Sequence, residues 1–457
     1  MTKCINMKKF FSLFGFMLFF ALQLSAQAKF DSATYNQYYN KLFPSMTIDS
    51  STHITSLSDE EKIEAISKVW YEAKFNFANF DKVPYLNWDS VYKAFLPKML
   101  ATKNIKESYR VLQQMNQLLR DGHSRIIEPL YYFLKENDKL PFICTYIDDK
   151  VVVVKNLSND TAYQSVTPGT IITAIDNIPI QQYIKENISP YIHFSTPQDS
   201  ISRIYTYELF KGLRGSKVQL TFQNLNNRIV TKTFTRSSNF FLPKIIYSVL
   251  PNNIGYLIVN SFESDDIVKS FDSLFPAIQK SKALIIDVRL NGGGNSNIGY
   301  EILGCLTDKP FLTSLNVLHT YRPSQRAWGD GAVALQLETD DWKPYKKVLY
   351  SNPVAVLTSA ATYSAAEDFT VAYKQMQRGK IFGSATGGST GQPLGYDLPG
   401  GGLGFICTKR DVMANGTEFV GVGVIPDVQV SATLAGIRSG KDEVLNAAVQ
   451  YLLTQIK

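Results

Sequence analysis

Only four cysteines occur in 457 residues, too few for a disulfide-built scaffold in a chain of this size. Cys4 precedes the first apolar run, whereas Cys144, Cys305 and Cys407 each sit among apolar neighbours and read as buried, reduced thiols. Histidine is equally scarce. His53, His123, His193 and His319 lie far apart in sequence, so no metal-ligand spacing appears and no metal or other cofactor is implied. A phosphate-cradling Gly-rich loop ending in Lys-Ser/Thr is missing, as is a dinucleotide fingerprint. Charged residues make up 19% and the net charge is +7, with three lysines already spent in the first nine residues. No dense Lys/Arg stripe occurs, so the charge gives no case for nucleic acid.

What is present begins at the N-terminus. Lys3, Lys8 and Lys9 precede an apolar run from Phe10 to Leu24, and Ala26-Gln27-Ala28 follows. A charged start, an apolar middle and a small-x-small end form the pattern of a secretory signal peptide. The run is shorter than the ~20 residues that span a bilayer, and no other stretch is long and apolar enough. The sequence therefore predicts a signal peptide over 1–28, a mature chain starting near Lys29, no transmembrane segment after cleavage, and export to the periplasm or the extracellular space.

The remaining length suits two or three domains. Residues 29–125 read as helical: Ser58 to Glu61 is a capping-box pattern before Ile63, Ile66, Val69, Trp70 and Ala73 at helical spacing. A second helix is predicted from Ile105 to Arg120, with Gly122 as its terminator. Over 126–245 short β-rich runs dominate, at Phe142–Ile147, Val151–Val154, Thr170–Ile175 and Lys217–Phe222. From 246 to 457 strand and helix alternate: Ile254–Val259, Asp265–Lys280, Ala283–Val288, Val354–Thr358 and Ser364–Met376. Such alternation implies a layered α/β domain. A short strand is also expected over Thr417–Val420.

Four segments could carry chemistry. Asp287-Val-Arg-Leu-Asn-Gly-Gly-Gly294 ends a strand in glycines, either a sharp turn or a source of backbone N–H groups for an oxyanion. Ser364-Ala-Ala-Glu367 follows an apolar strand and opens a helix. Ser364 can be a helix cap paired with Glu367, or a nucleophile in the positive field of the helix start. Asp121-Gly-His-Ser124 places His123 just past a helix end, as a structural residue or a base. The fourth segment, Gly383 to Pro393, leads on to Gly423-Val-Ile-Pro-Asp427.

In this order, with the β-rich part between the first and second motif, these segments resemble the serine peptidase family of C-terminal processing (tail-specific) proteases and the tricorn core. The resemblance implies an α/β chain of three parts: a helical N-terminal domain over 29–125, a PDZ-like domain over 126–245 and a ClpP/crotonase-like catalytic core over 246–457. Val166 to Ile180 resembles the core hairpin of a PDZ domain, and Leu213 to Leu220 a later PDZ segment. The implied activity is an exported serine endopeptidase working through an acyl-enzyme on polypeptides docked at the PDZ-like domain. Ser364 is its nucleophile, and the N–H groups of Gly293 and Ala365 form its oxyanion hole. The Ser-Lys branch places a lysine where this chain has Ser389, and no lysine occurs between Lys380 and Lys409. The His-using branch fits better, with His123 as base and Glu418, the nearest acid before Gly423, as its supporting acid. On that basis the rate should fall below about pH 6.5 as the imidazole protonates. The alternative is a non-catalytic protein on the same fold that binds a retinoid-like small molecule or a peptide.

Overall fold

The computed structural model describes residues 30–51, 53–344 and 348–456. The predicted signal peptide lies outside them. The chain divides into two units, Met1–Met46 and Thr47–Lys457. Of the first, one helix is described, α1 (Ser32–Leu42), whose start is capped by Asp31.

The second unit opens with three helices, α2 (Asp59–Asn76), α3 (Trp88–Leu100) and α4 (Ile105–Gln117). The capping box before α2 forms as predicted: Ser58 Oγ accepts Glu61 N–H, and Glu61 Oε2 accepts Ser58 N–H at 2.8 Å. At the end of α4 the chain turns at Arg120, with φ 51°, not at Gly122. Gly122 serves a close approach instead, since a Cβ there would lie 2.1 Å from the Tyr363 hydroxyl. Beyond it come β1 (Arg125–Ile127) and α5 (Leu130–Lys135).

Strands β2 (Phe142–Ile147), β3 (Lys150–Asn156), β4 (Ile171–Ile175), β5 (Ile178–Pro179), β6 (Lys217–Gln223) and β7 (Ile229–Thr235) form one antiparallel sheet. It has its own core, with Val151, Val153, Ile172, Leu220 and Phe222 facing Ile184 and Leu209. Helices α6 (Ile180–Asn187) and α7 (Pro197–Ser202) lie between β5 and β6, and α7 runs on into a wider turn over Arg203–Glu208.

The remainder is built on β8 (Ile245–Leu250), β9 (Ile254–Val259), α8 (Asp266–Ile278), β10 (Ala283–Asp287), α9 (Ser296–Leu303), the hairpin β11 (Phe311–Tyr321) and β12 (Val333–Trp342), β13 (Val354–Thr358), α11 (Ala365–Met376) and β14 (Gly379–Gly383). The short helix α10 (Pro323–Ala327) sits in the hairpin's loop. Strands β15 (Pro393–Leu398), β16 (Gly402–Cys407), β17 (Lys409–Val412) and β18 (Val428–Gln429) follow, then α12 (Leu434–Ser439) and α13 (Glu443–Gln455). The central sheet has the order β18-β14-β13-β10-β9-β8, parallel except for β8 against β9. β10 and β13 are buried at every residue, as a parallel sheet covered on both faces requires. α8, α9 and α11 pack one face through Phe271, Ile302 and Phe369, and α13 packs the other through Val444, Ala448 and Leu452.

Sequence reasoning missed the hairpin β11–β12. Val333, Leu335 and Leu337 alternate at strand period, but their side chains face solvent, so the pattern carries no core signal. The strand expected over Thr417–Val420 reduces to a single bridge between Val412 and Glu418, while Phe419 and Val420 bury themselves against Val371 and Val424.

Helices α2 to α4 share one core with the late strands β15 and β16: Ile66, Leu112 and Met115 pack with Leu398, Ile406 and Cys407. Leu112 is fully buried there. Leu112→Ala should cost about 2–5 kcal/mol, read as a lowered urea midpoint at unchanged slope. A change below ~1 kcal/mol would show that helices and strands do not share a close-packed core.

Candidate active site

Three neighbouring parallel strands end side by side, with Asp287 opposite Leu357 and Thr358 opposite Gly383. The crevice outside the carboxyl ends of such strands is where open α/β sheets bind ligands. Each strand delivers one loop. β10 leads into the glycine turn, β13 into Ser364, and β14 into the segment 384–391.

Hydrogen bonds lock these loops together. Thr362 Oγ1 donates to the Val288 carbonyl at 2.8 Å, and Tyr363 N–H to the Asn291 carbonyl at 3.0 Å. Arg289 pairs with both Asp287 and Asp442, which fixes the start of the glycine turn against α13. Ser364 itself sits at φ 55° and ψ −127°, a conformation a non-glycine residue holds only when its surroundings impose it. Its backbone N–H reaches both the Ser389 carbonyl and Glu367 Oε2, each at 3.2 Å.

The Ser364 hydroxyl lies 2.9 Å from His123 Nε2. His123 arrives from a chain segment 241 residues away. Asp121 Oδ1 accepts the N–H groups of His123 and Ser124, and β1 then pairs with β16. The Tyr363 ring stacks on the imidazole with centroids 5.0 Å apart, and the Arg203 guanidinium lies over the same tyrosine, 4.3 Å from its centroid. On the far side of the imidazole, Nδ1 is 2.8 Å from Ser389 Oγ, to which the Tyr363 hydroxyl also donates at 2.8 Å. With the proton on Nδ1 donated to Ser389, Nε2 is left free to accept from Ser364, the arrangement a general base needs. Sequence reasoning had treated Ser389 only as a missing lysine; its nearness to a histidine 266 residues away carries no local signal.

Beneath this pair lies Glu367, fully buried. Its oxygens accept the N–H groups of Gly388 (2.7 Å) and Ser389 (2.8 Å), the Thr386 hydroxyl (2.6 Å) and the Ser364 N–H. Burial raises its pKa, and the bonds from Thr386, Ser389 and Gly388 pull it back down. All four partners act as donors, so the ionised carboxylate is the form this nest fits.

Two expected roles change. The Glu418 carboxylate is engaged by Lys82 and Arg410 at the surface, far from supporting the base. Two cations outcompete any buried imidazole for a partly exposed acid, and Ser389 occupies His123 Nδ1 instead. Gly293 does lie against Ser364, since a Cβ there would come within 2.7 Å of Ser364 Cβ. Its N–H, however, is spent on Asn291 Oδ1 at 2.9 Å and is not free for an oxyanion. The N–H of Ala365, the first residue of α11, has no partner among the described residues. The motif Gly423 to Asp427 braces the site from behind. Val424 N–H donates to Thr386 Oγ1, and Asp427 accepts Ile381 N–H and Lys374.

Ser364 and His123 open onto a cavity of about 1100 Å³. Burial lowers the His123 pKa to about 3, helped by the charges of Arg203, Arg125 and Lys409. The imidazole thus stays neutral through the range where an ordinary histidine titrates, correcting the expected loss of base below pH 6.5. An unfolded histidine takes its proton near pH 6.5, so acidification from there toward 3 favours the unfolded chain. In a ring-proton NMR titration, His123 should show no protonation step between pH 8 and 5, and the chain should lose stability as pH falls through that window. A His123 midpoint near 6.5 in the folded protein would contradict the burial argument.

Comparison with known proteins gives the same direction. Residues 253–430 match the family described as Peptidase family S41. Over 214 residues the chain is 26% identical to the C-terminal processing peptidase, chloroplastic, of Tetradesmus obliquus, covering 47% of this chain and 42% of that protein. It is 26% identical over 256 residues to the tail-specific protease of Haemophilus influenzae, covering 52% of this chain and 34% of that one. Each match thus spans less than half the relative's length. Among solved structures, mature CPAF superposes with a TM-score of 0.65 at 15% identity, covering 86% of this chain and 96% of that chain, a likeness of fold.

Proposed function

We propose that this chain, a member of Peptidase family S41 through residues 253–430, is an exported serine endopeptidase that cleaves polypeptides through an acyl-enzyme. The observation that carries the reading is the contact of 2.9 Å between Ser364 Oγ and His123 Nε2, made by a serine held at a strained strand-to-helix turn. Ser364 attacks the scissile carbonyl while its proton passes to His123 Nε2. His123 then returns the proton to the leaving amine, and water, activated by the same nitrogen, releases the acyl group. The Ala365 N–H at the start of α11 supports the oxyanion. Ser389 takes the position an acid holds in other serine hydrolases: it fixes the tautomer and ring orientation of His123 without adding negative charge.

The partition into a helical part over 29–125, a PDZ-like part over 126–245 and a core over 246–457 belongs to the same proposal. The antiparallel sheet β2–β7 with its separate core supports it, and a substrate segment would add to this part as an extra strand. Export rests on the sequence pattern of 1–28. Among the described residues no helix is long and apolar enough to cross a membrane.

Hydrolysis of denatured casein by the purified chain tests the assignment. His123→Ala should lower kcat/KM by on the order of 10²-fold or more, the size of a lost general base. Ser389→Ala should lower kcat by roughly tenfold, because the imidazole loses its orienting partner but Tyr363 remains 3.3 Å from Nδ1. Full activity in a folded His123→Ala variant would remove His123 from the mechanism.

A further inference from the structure

Ser389 fixes the ring of His123, but the backbone of His123 is fixed elsewhere. Asp121 Oδ1 accepts the N–H groups of His123 at 3.0 Å and Ser124 at 2.7 Å, closing the kind of turn an aspartate makes with the residues just ahead of it. Asp121 is only 4% exposed, so its second oxygen also needs a donor from the protein. One comes from outside the turn: Asn79 Nδ2 lies 3.3 Å from Asp121 Oδ2. Asn79 stands between α2 and a short helical turn over Phe80–Lys82. It precedes Asp121 by 42 residues and is itself buried.

Arg410 decides which end of the Asn79 amide meets Asp121. A guanidinium carries donors alone, and Arg410 Nε lies 2.8 Å from Asn79 Oδ1. The amide nitrogen is thereby turned toward the carboxylate. Arg410 is held in place by Asp81 and by the Ala78 carbonyl. The backbone of the same segment is tied to the late strands, since Ala78 N–H donates to the Cys407 carbonyl and Cys407 N–H to Ser124 Oγ. Burial raises the pKa of Asp121, while bonds from Ser124, His123 and Asn79 pull it down. Asn79, Asp121 and Arg410 line no part of the cavity at Ser364, so their influence on a substrate there runs through His123.

We infer that Asn79 is a positioning residue: by donating to Asp121 it holds the turn that sets His123 Nε2 against Ser364. The inference rests on the peptidase reading and extends it to the helical part of the chain, which then supports the base without touching substrate.

Asn79→Leu removes the amide at similar volume. Asn79→Ala is the second variant should the first fail to fold, and melting temperatures show which variants are folded. On labelled, denatured casein, kcat should fall roughly tenfold or more, as for a reacting group displaced by a fraction of an ångström. KM should stay within about twofold, since no substrate contact is lost. A double-mutant cycle on the rate of fluorophosphonate labelling of Ser364 separates positioning from general loosening. Asn79→Leu should slow labelling roughly tenfold in the otherwise unmodified chain but less than about twofold in the His123→Ala chain, because an effect that runs through His123 vanishes with it. An unchanged kcat in a folded variant, a loss confined to KM, or equal slowing in both backgrounds overturns the inference. Failure of the peptidase reading is a different result, with casein intact and Ser364 unlabelled in the unmodified chain, and the inference falls with it.

Discussion

The active-site region depends on one buried carboxylate. Glu367 gathers four donors from two loops: Ser364 N–H, the N–H groups of Gly388 and Ser389, and the Thr386 hydroxyl. Without it the N–H groups of Gly388 and Ser389 would lose their buried acceptor, and the segment 386–389 would be held less firmly beside Ser364. Its position three residues after Ser364 lets it serve as the reciprocal half of a helix cap and as the anchor of a distant loop at once. The strained backbone of Ser364 persists because both neighbours of the turn are fixed, one by Glu367 and one by the Tyr363–Asn291 bond.

From that clamp the rest follows outward. Fixing Ser389 fixes the partner of His123 Nδ1, and hence which nitrogen faces Ser364. Thr196 Oγ1 donates to the Gly387 carbonyl, and Gln198 to the carbonyls of Thr386 and Val422. The segment around α7 therefore presses on the same loop, so the β2–β7 region and the central sheet meet beside Ser389, the partner of His123 Nδ1.

Much of the site was legible in sequence because its parts are local. Ser364 to Glu367 and Asp287 to Gly294 are short runs whose chemistry is visible in a few residues, and the strands that carry them are continuous apolar runs. The structure brings His123 to Ser364, as the motif order implied. What local pattern could not show were pairings across long stretches of chain. Ser389 looked like a vacant lysine position, but only the fold brings it to His123. Glu418 stands near the closing motif, but Lys82, far away in sequence, claims it. The bareness of Gly293 serves close packing against Ser364, while Asn291 takes its N–H. The hairpin β11–β12 escaped notice because its apolar alternation faces solvent, opposite to the pattern that marks a core strand.

The central claim is that Ser364 is a nucleophile activated by its surroundings, and a serine-directed fluorophosphonate reads this directly. Mass spectrometry of the labelled, digested chain should place the phosphonate on the peptide containing Ser364 and on no other serine. Labelling should slow by on the order of 10²-fold in His123→Ala, because the same base assists attack on phosphorus. An unlabelled Ser364 in the folded chain, or an adduct on a different serine, would contradict the account.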